Sequence, residues 1–191
     1  MGNLKGSKTE KNLLASFAGE SQARNRYTYF SSAAKKEGYE QIAFYFADTA
    51  ENEKEHAKRF FKFLEGGDLE ITAAYPAGKI GTTLENLKGS AEGEKHEYSV
   101  LYPEAAKIAD QEGFKDIAAT FRAISKAEMA HEARYRKFIA NIEKCEVFKR
   151  SGSVKWKCRN CGYVHEGPNA PEACPACLHP KAYFELFCEN Y

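Results

Sequence analysis

The chain has 191 residues, 28 Lys plus Arg against 27 Asp plus Glu for a formal net charge of +1, and 43% hydrophobic residues. That balance excludes the basic stripe of a nucleic-acid binder and the polar make-up of a disordered chain. No apolar run approaches the roughly 20 residues that cross a bilayer, and the length fits one large domain or a medium one plus a small one.

The opening Met1-Gly2-Asn3-Leu4-Lys5-Gly6-Ser7 has no apolar signal core, and Gly6 stands where a myristoylation motif wants Ser or Thr. A soluble cytoplasmic protein with no membrane or nucleic-acid partner is therefore expected. Residues 8–144 read as helix almost throughout. Ser7-Lys8-Thr9-Glu10 and Thr82-Thr83-Leu84-Glu85 match capping boxes, while Gly38, Gly66-Gly67 and Gly113 supply stops. Four long helices are predicted, about 8–37, 39–65, 83–112 and 114–144. Tight loops at Gly38 and Gly113 make two antiparallel hairpins, and the stretch 66–81, with Pro76, is long enough to cross back along a bundle.

The helical part is an internal duplication. Gly19-Glu20 matches Gly93-Glu94 at an offset of 74. From Tyr27 and Tyr102 onward the offset is 75, and it holds for Glu37-Gly38-Tyr39 with Glu112-Gly113-Phe114, Phe46 with Phe121, Glu53 with Glu128, and His56 with His131. The slip of one residue falls between Glu94 and Tyr102, beside Pro103. It predicts a π-bulge or kink in the third helix, because an extra residue must be absorbed and Pro103 lacks an N–H.

The duplication carries a chemical pattern. Each hairpin contributes one Glu on its first helix and Glu-x-x-His on its second, and residues three apart share a helix face. A Glu from each of two helices plus Glu-x-x-His from the other two is the ligand set of di-iron carboxylate bundles. Solvated Glu-x-x-His pairs also arise by chance, but two at equivalent repeat positions favour metal. Glu20 and Glu94 are expected as terminal ligands, Glu53 and Glu128 as bridges, and His56 and His131 as one cap each. Glu97, three residues after Glu94, has only Ala23 as its repeat equivalent. Four carboxylates balance two ferrous ions in formal charge, so a fifth suits the ferric site and the reduced site leans on His56. The alternative is that Glu97 is an outer or surface group. Tyr27 and Tyr102 lie about two turns beyond Glu20 and Glu94, either as donors to a ligand carboxylate or bound peroxide, or as core. His96, His165 and His179 are not needed as ligands.

Lys149-Arg150-Ser151-Gly152-Ser153 reads as part of a linker of about eight residues, spanning at most about 26 Å. A turn-rich module follows. Cys158-x-x-Cys161 and Cys174-x-x-Cys177, twelve residues apart, point four thiolates at one centre, the tetrahedral all-sulfur chemistry of iron or zinc. A module this small needs such a staple. Cys145 and Cys188 are expected as free thiols. The predicted architecture is an all-α four-helix bundle with a long crossover over 1–147, and a linker plus small metal-stapled β/turn domain over 148–191.

With these residues in view the chain resembles the rubrerythrins over nearly its whole length. The resemblance rests on Glu20, Glu53-x-x-His56, Glu94-x-x-Glu97, Glu128-x-x-His131, Cys158-Arg159-Asn160-Cys161-Gly162-Tyr163 and Cys174-Pro175-Ala176-Cys177. The two cysteine knuckles are similar to those of rubredoxin, with a shorter gap between them, and Trp156, Tyr163, Phe184 and Phe187 are the expected aromatic core. The resemblance implies a ferritin-like bundle holding two non-haem irons, one further iron held by the four cysteines, and usually a homodimer. It also implies reduction of hydrogen peroxide to water, with electrons derived from NAD(P)H. In that reading peroxide meets the reduced pair, Glu97 enters as His56 leaves, and the cysteine-bound iron refills the site. No Gly-x-Gly-x-x-Gly or Walker segment is present, so the electrons must come from an external donor protein, an NAD(P)H-dependent reductase or a rubredoxin. The rival readings are a ferroxidase or iron-storage subunit, a zinc-ribbon interaction protein, and an oxygen-activating oxygenase.

Overall fold

The computed structural model describes residues 3–189, so Met1 and Gly2 of the myristoylation test lie outside the described residues. Helices α1 (Lys8–Lys36) and α2 (Glu40–Phe61) form the first hairpin. The second runs from α3 (Thr83–His96) through a π-helical segment (Glu97–Leu101) into α4 (Tyr102–Gln111), and returns as α5 (Lys115–Glu143). No helix among the described residues is long and apolar enough to cross a membrane.

Both hairpins turn by the same device. The Gly38 amide bonds to the Lys35 carbonyl and the Tyr39 amide to that of Ala34; Gly113 and Phe114 repeat this on Asp110 and Ala109. These are paired bonds of the Schellman type, and Gly38 and Gly113 supply the left-handed φ of +82° and +86° that it demands. Each hairpin end then caps the other hairpin's start. Glu37 accepts from the Thr83 amide (2.9 Å), and Glu112 from the amides of Lys8 (3.1 Å) and Thr9 (2.9 Å) and the Thr9 hydroxyl (2.6 Å). Thr82 and Glu85 complete a reciprocal capping box; at the other start Ser7 accepts from Glu10, while Glu10 reaches back to Gly6.

The predicted π-bulge is present: the Tyr102 amide bonds to the Glu97 carbonyl, five residues back. Two boundaries differ from expectation. Helix α2 stops at Phe61, short of 65, because the Phe63 and Leu64 amides bond only three residues back, to Phe60 and Phe61. The supposed linker Lys149–Ser153 lies inside strand β1 (Lys149–Cys158), where a register shift between Lys149 and Val154 absorbs the Ser-Gly-Ser sequence. The true connection is therefore only 144–148, turned at Cys145 with φ of +52°.

Strand β1 is the centre of a three-stranded antiparallel sheet between β2 (Val164–Asn169) and β3 (Phe184–Leu186). Trp156 is fully buried there and donates to the Gly167 carbonyl at 3.0 Å. Phe184 and Tyr163 join it as expected, but Phe148 and Tyr183 pack where Phe187 was predicted. Phe148 also stacks on Tyr39 of the bundle, and the Arg159 guanidinium lies 4.4 Å over Phe44.

The bundle core is two aromatic triads, equivalent under the repeat. Tyr27, Phe46 and Tyr135 form one; Tyr102, Phe121 and Phe60 form the other, with ring centroids 4.8–6.1 Å apart within each. The triads belong to separate apolar clusters, one near each end of the bundle. Between them, in a region that should be apolar, lie charged groups.

Candidate metal centres

The charged layer draws on every helix that the repeat marked. Glu20 comes from α1, Glu53 and His56 from α2, Glu94 from α3, and Glu128 and His131 from α5. All four carboxylates are at most 1% exposed. Their donor atoms fall into two groups, each mutually within 4.8 Å: Glu20, Glu53, His56 and Glu128, and Glu53, Glu94, Glu128 and His131.

Glu53 and Glu128 belong to both groups because each splits its oxygens between them. His56 Nδ1 lies 2.9 Å from Glu53 Oε2 and 3.0 Å from Glu128 Oε1, whereas His131 Nδ1 lies 3.2 Å from Glu53 Oε1 and 2.8 Å from Glu128 Oε2. Glu20 stands only on the His56 side (3.7 Å) and Glu94 only on the His131 side (3.8 Å).

These residues fit a pair of cations, and the unpaired atoms show why. Glu20 Oε2, Glu53 Oε1, Glu94 Oε2, both Glu128 oxygens and His131 Nδ1 are buried without a hydrogen-bond partner. A buried carboxylate without compensation is prohibitively costly. Four carboxylates with two neutral imidazoles carry the formal charge that two divalent ions cancel. Without such ions, protons must compensate. Burial, followed by the charges of Glu53, Glu97 and Glu128, pushes the Glu20 carboxyl well above the carboxylate range, and burial with Glu53 pushes Glu94 up to about 8. Burial alone would lower both histidines, but the adjacent carboxylates of Glu128 and Glu53 overcome it and hold His56 at about 9 and, with Glu94, His131 at about 12.

Each half holds a buried carboxylate of the other. Tyr27 donates to Glu94 Oε1 at 2.6 Å, and Tyr102 donates to Glu20 Oε1 at 2.5 Å. One outer partner escaped the sequence reading. Asn52 Oδ1 lies 3.2 Å from His131 Nε2, so the ring is held with Nδ1 towards the carboxylates. The repeat equivalent of Asn52 is Ala127, which offers His56 no such partner. His56 is also the more exposed ring, 16% against 4% for His131.

Glu97 is the one predicted ligand that the structure leaves outside both groups. It opens the π segment, half-buried, and lines a cavity beside the site. Burial and the charges of Glu94, Glu128 and Glu53 push its carboxyl up, opposed by Arg26. His56 stands on the Glu20 side in its stead.

In the small domain the sulfurs of Cys158, Cys161, Cys174 and Cys177 lie mutually within 4.8 Å, and none is in a disulfide. Two matching turns present them: the Gly162 amide bonds to the Cys158 carbonyl and the Leu178 amide to that of Cys174, both at 2.8 Å. The His179 amide draws the Cys177 thiol down to about 6, towards the thiolate that metals require. Cys145 and Cys188 stand apart as exposed free thiols.

Residues 11–139 match the family model described as Rubrerythrin, and residues 156–185 match that of the rubrerythrin rubredoxin-like domain. The chain is 61% identical to rubrerythrin of Porphyromonas gingivalis, over 99% of this chain and 94% of that one. It is 60% identical to rubrerythrin of Nitratidesulfovibrio vulgaris over the full length of both. Among solved structures it is similar to fully reduced, all-ferrous nigerythrin, at 33% identity and a TM-score of 0.64, over 96% of this chain and 91% of that one. A ferritin-like bundle with a di-iron carboxylate site, joined to a small strand domain with a four-cysteine rubredoxin-like site, defines the class of this protein. The chain belongs to the rubrerythrin family of oxidoreductases.

Proposed function

We propose that the chain is a peroxidase that reduces hydrogen peroxide to water, with electrons entering through an iron in the four-cysteine site from an external donor protein. The balance is H2O2 plus two electrons and two protons giving two waters. When bound, the two irons supply the two electrons and the Lewis acidity for O–O cleavage. The ligand assignment is Glu20 and His56 on one side, Glu94 and His131 on the other, Glu53 and Glu128 across both, and Cys158, Cys161, Cys174 and Cys177 in the small domain. The functional division falls at 147/148.

The observation that carries this reading is the inequality of the two histidines. Asn52 fixes His131, His56 has no counterpart to it, and Glu97 opens the π segment and lines the cavity beside the cluster. A carboxylate replacing a neutral imidazole adds the negative charge that an oxidised centre requires. With the irons bound, Glu97 would enter as His56 leaves, while Tyr27 and Tyr102 keep Glu94 and Glu20 in place. A storage protein has no need of an attached electron donor. The reading includes a homodimer fed by an NAD(P)H-linked reductase or a rubredoxin, in a reducing cytoplasm that keeps Cys145 and Cys188 as thiols.

Anaerobic stopped-flow mixing of the fully reduced protein with peroxide and, separately, with oxygen tests this. Peroxide is expected to oxidise both centres much faster than oxygen does. The reverse order would identify a ferroxidase or oxygenase.

A further inference from the structure

The cavity beside Glu97 is larger than hydrogen peroxide requires. It measures about 310 Å³. A water molecule's share of the liquid is about 30 Å³, and peroxide has two oxygens, so most of this space is left over. The cavity is also mixed in character. Ala15 on α1, Ala74 in the crossover, Leu101 in the π segment and Ala105 on α4 give it apolar surface. Its polar lining is Glu97 and Tyr102, whose hydroxyl donates to Glu20, with Asn12, Ser16, Gln22 and His96. Arg26 lines the cavity too, and its Nε is buried without a hydrogen-bond partner.

Its roof is a strap. Tyr75 of the crossover donates to the Ala15 carbonyl at 2.7 Å, which pins the segment over α1. Gly19 lies beneath it, where a Cβ would meet the Tyr75 ring at 3.5 Å, an ordinary van der Waals contact. A small apolar compartment with a few polar groups is the form of a site for a small organic molecule.

We propose that this cavity admits small alkyl hydroperoxides, and that the chain reduces them as well as hydrogen peroxide. The alkyl group lies against the alanines under the strap, and the hydroperoxide end points to Glu97 as acceptor, with Arg26 Nε as the donor. The O–O bond breaks: ROOH plus two electrons and two protons gives ROH and H2O. The peroxide is reduced, and the electrons come from the same external donor through the same centres. This rests on the peroxidase reading and adds the class of substrate.

The test mixes the fully reduced, iron-loaded full-length protein with hydrogen peroxide or tert-butyl hydroperoxide under anaerobic conditions. A74L fills the cavity from the crossover, away from the proposed ligands, and A73L serves if A74L does not fold. In parallel, tert-butanol is titrated into the zinc-loaded full-length protein and alanine methyl signals are followed by NMR. Oxidation by tert-butyl hydroperoxide is expected within about tenfold of that by hydrogen peroxide, and the leucine variant is expected to lower the ratio of the two rates at least about tenfold, the scale of a steric change in an apolar pocket. Saturable methyl shifts at Ala15, Ala74 and Ala105 are expected as well. Oxidation by hydrogen peroxide alone, without methyl shifts, overturns this proposal and leaves the peroxidase reading standing. Oxidation by tert-butyl hydroperoxide with an unchanged ratio in the variant overturns the cavity as its route. Oxidation by neither overturns both.

Discussion

Tyr27 on α1 holds Glu94 on α3 through a 2.6 Å bond, and the repeat returns it as Tyr102 holding Glu20. Each half of the bundle thus orients a buried carboxylate of the other. A hydrogen bond to a charged group contributes about 1.5–3 kcal/mol, and loss of an outer partner lowers metal affinity roughly 10–100-fold. Y27F and Y102F should each show both losses in denaturant unfolding and chelator competition. Y135F is the control. Its hydroxyl has no hydrogen-bond partner, and its repeat equivalent is Phe60, so it should change stability by less than about 1 kcal/mol.

Asn52 is the outer partner of one histidine only. N52A should release iron to a chelator roughly 10–100-fold more readily than the parent protein. A127N, at the equivalent place beside Glu128, should instead restrain His56 and slow oxidation by peroxide. Unchanged oxidation kinetics in A127N would show that the freedom of His56 has no role.

Glu97 and Glu53 should separate cleanly. Removing a charge that belongs to both groups, in E53A, should abolish binding of the iron pair. E97A should retain both irons in the reduced protein yet react with peroxide at least about tenfold more slowly, a loss on the scale of a supporting ligand. Iron content and single-turnover rates decide it.

Glu112 gives the fold an acid sensitivity of known sign. The Thr9 hydroxyl, with the amides of Thr9 and Lys8, holds its carboxyl below the usual range. A depressed folded pKa means that the stabilisation is present above the unfolded value of about 4.3 and is lost as pH falls through the folded one. The difference in unfolding free energy between wild type and E112Q should therefore shrink below about pH 4.3. At neutral pH, E112A should cost about 0.5–2 kcal/mol, as for a lost helix cap.

The four-cysteine site staples a domain with its own core. C174S should lose the sulfur-bound metal, its visible absorption and the buried environment of Trp156, while helical circular dichroism and the iron pair persist. Loss of helicity would show that the two cores fold as one.

How much of this was visible beforehand depended on symmetry. The clustered acids and histidines were legible because they recur between the halves, and the π segment because the offset slips from 74 at Glu20 and Glu94 to 75 from Tyr27 and Tyr102 onward. Asn52 was illegible for the opposite reason: Ala127 breaks the repeat there, so nothing marked it out. The direction of the tyrosine bonds depends on how the hairpins cross, which periodicity along one helix does not encode. Strand β1 was hidden by Ser151-Gly152-Ser153, whose composition describes a bulge and a flexible tether equally well.

The inserted residue in the π segment also gives the bundle a front and a back. Duplication alone would make two interchangeable metal berths, each approachable from its own flank. With the extra residue on one flank only, Glu97 and the cavity it lines share that side, while Asn52 holds the ring of one histidine, His131. A change in winding over five residues thus makes two halves of common design unlike.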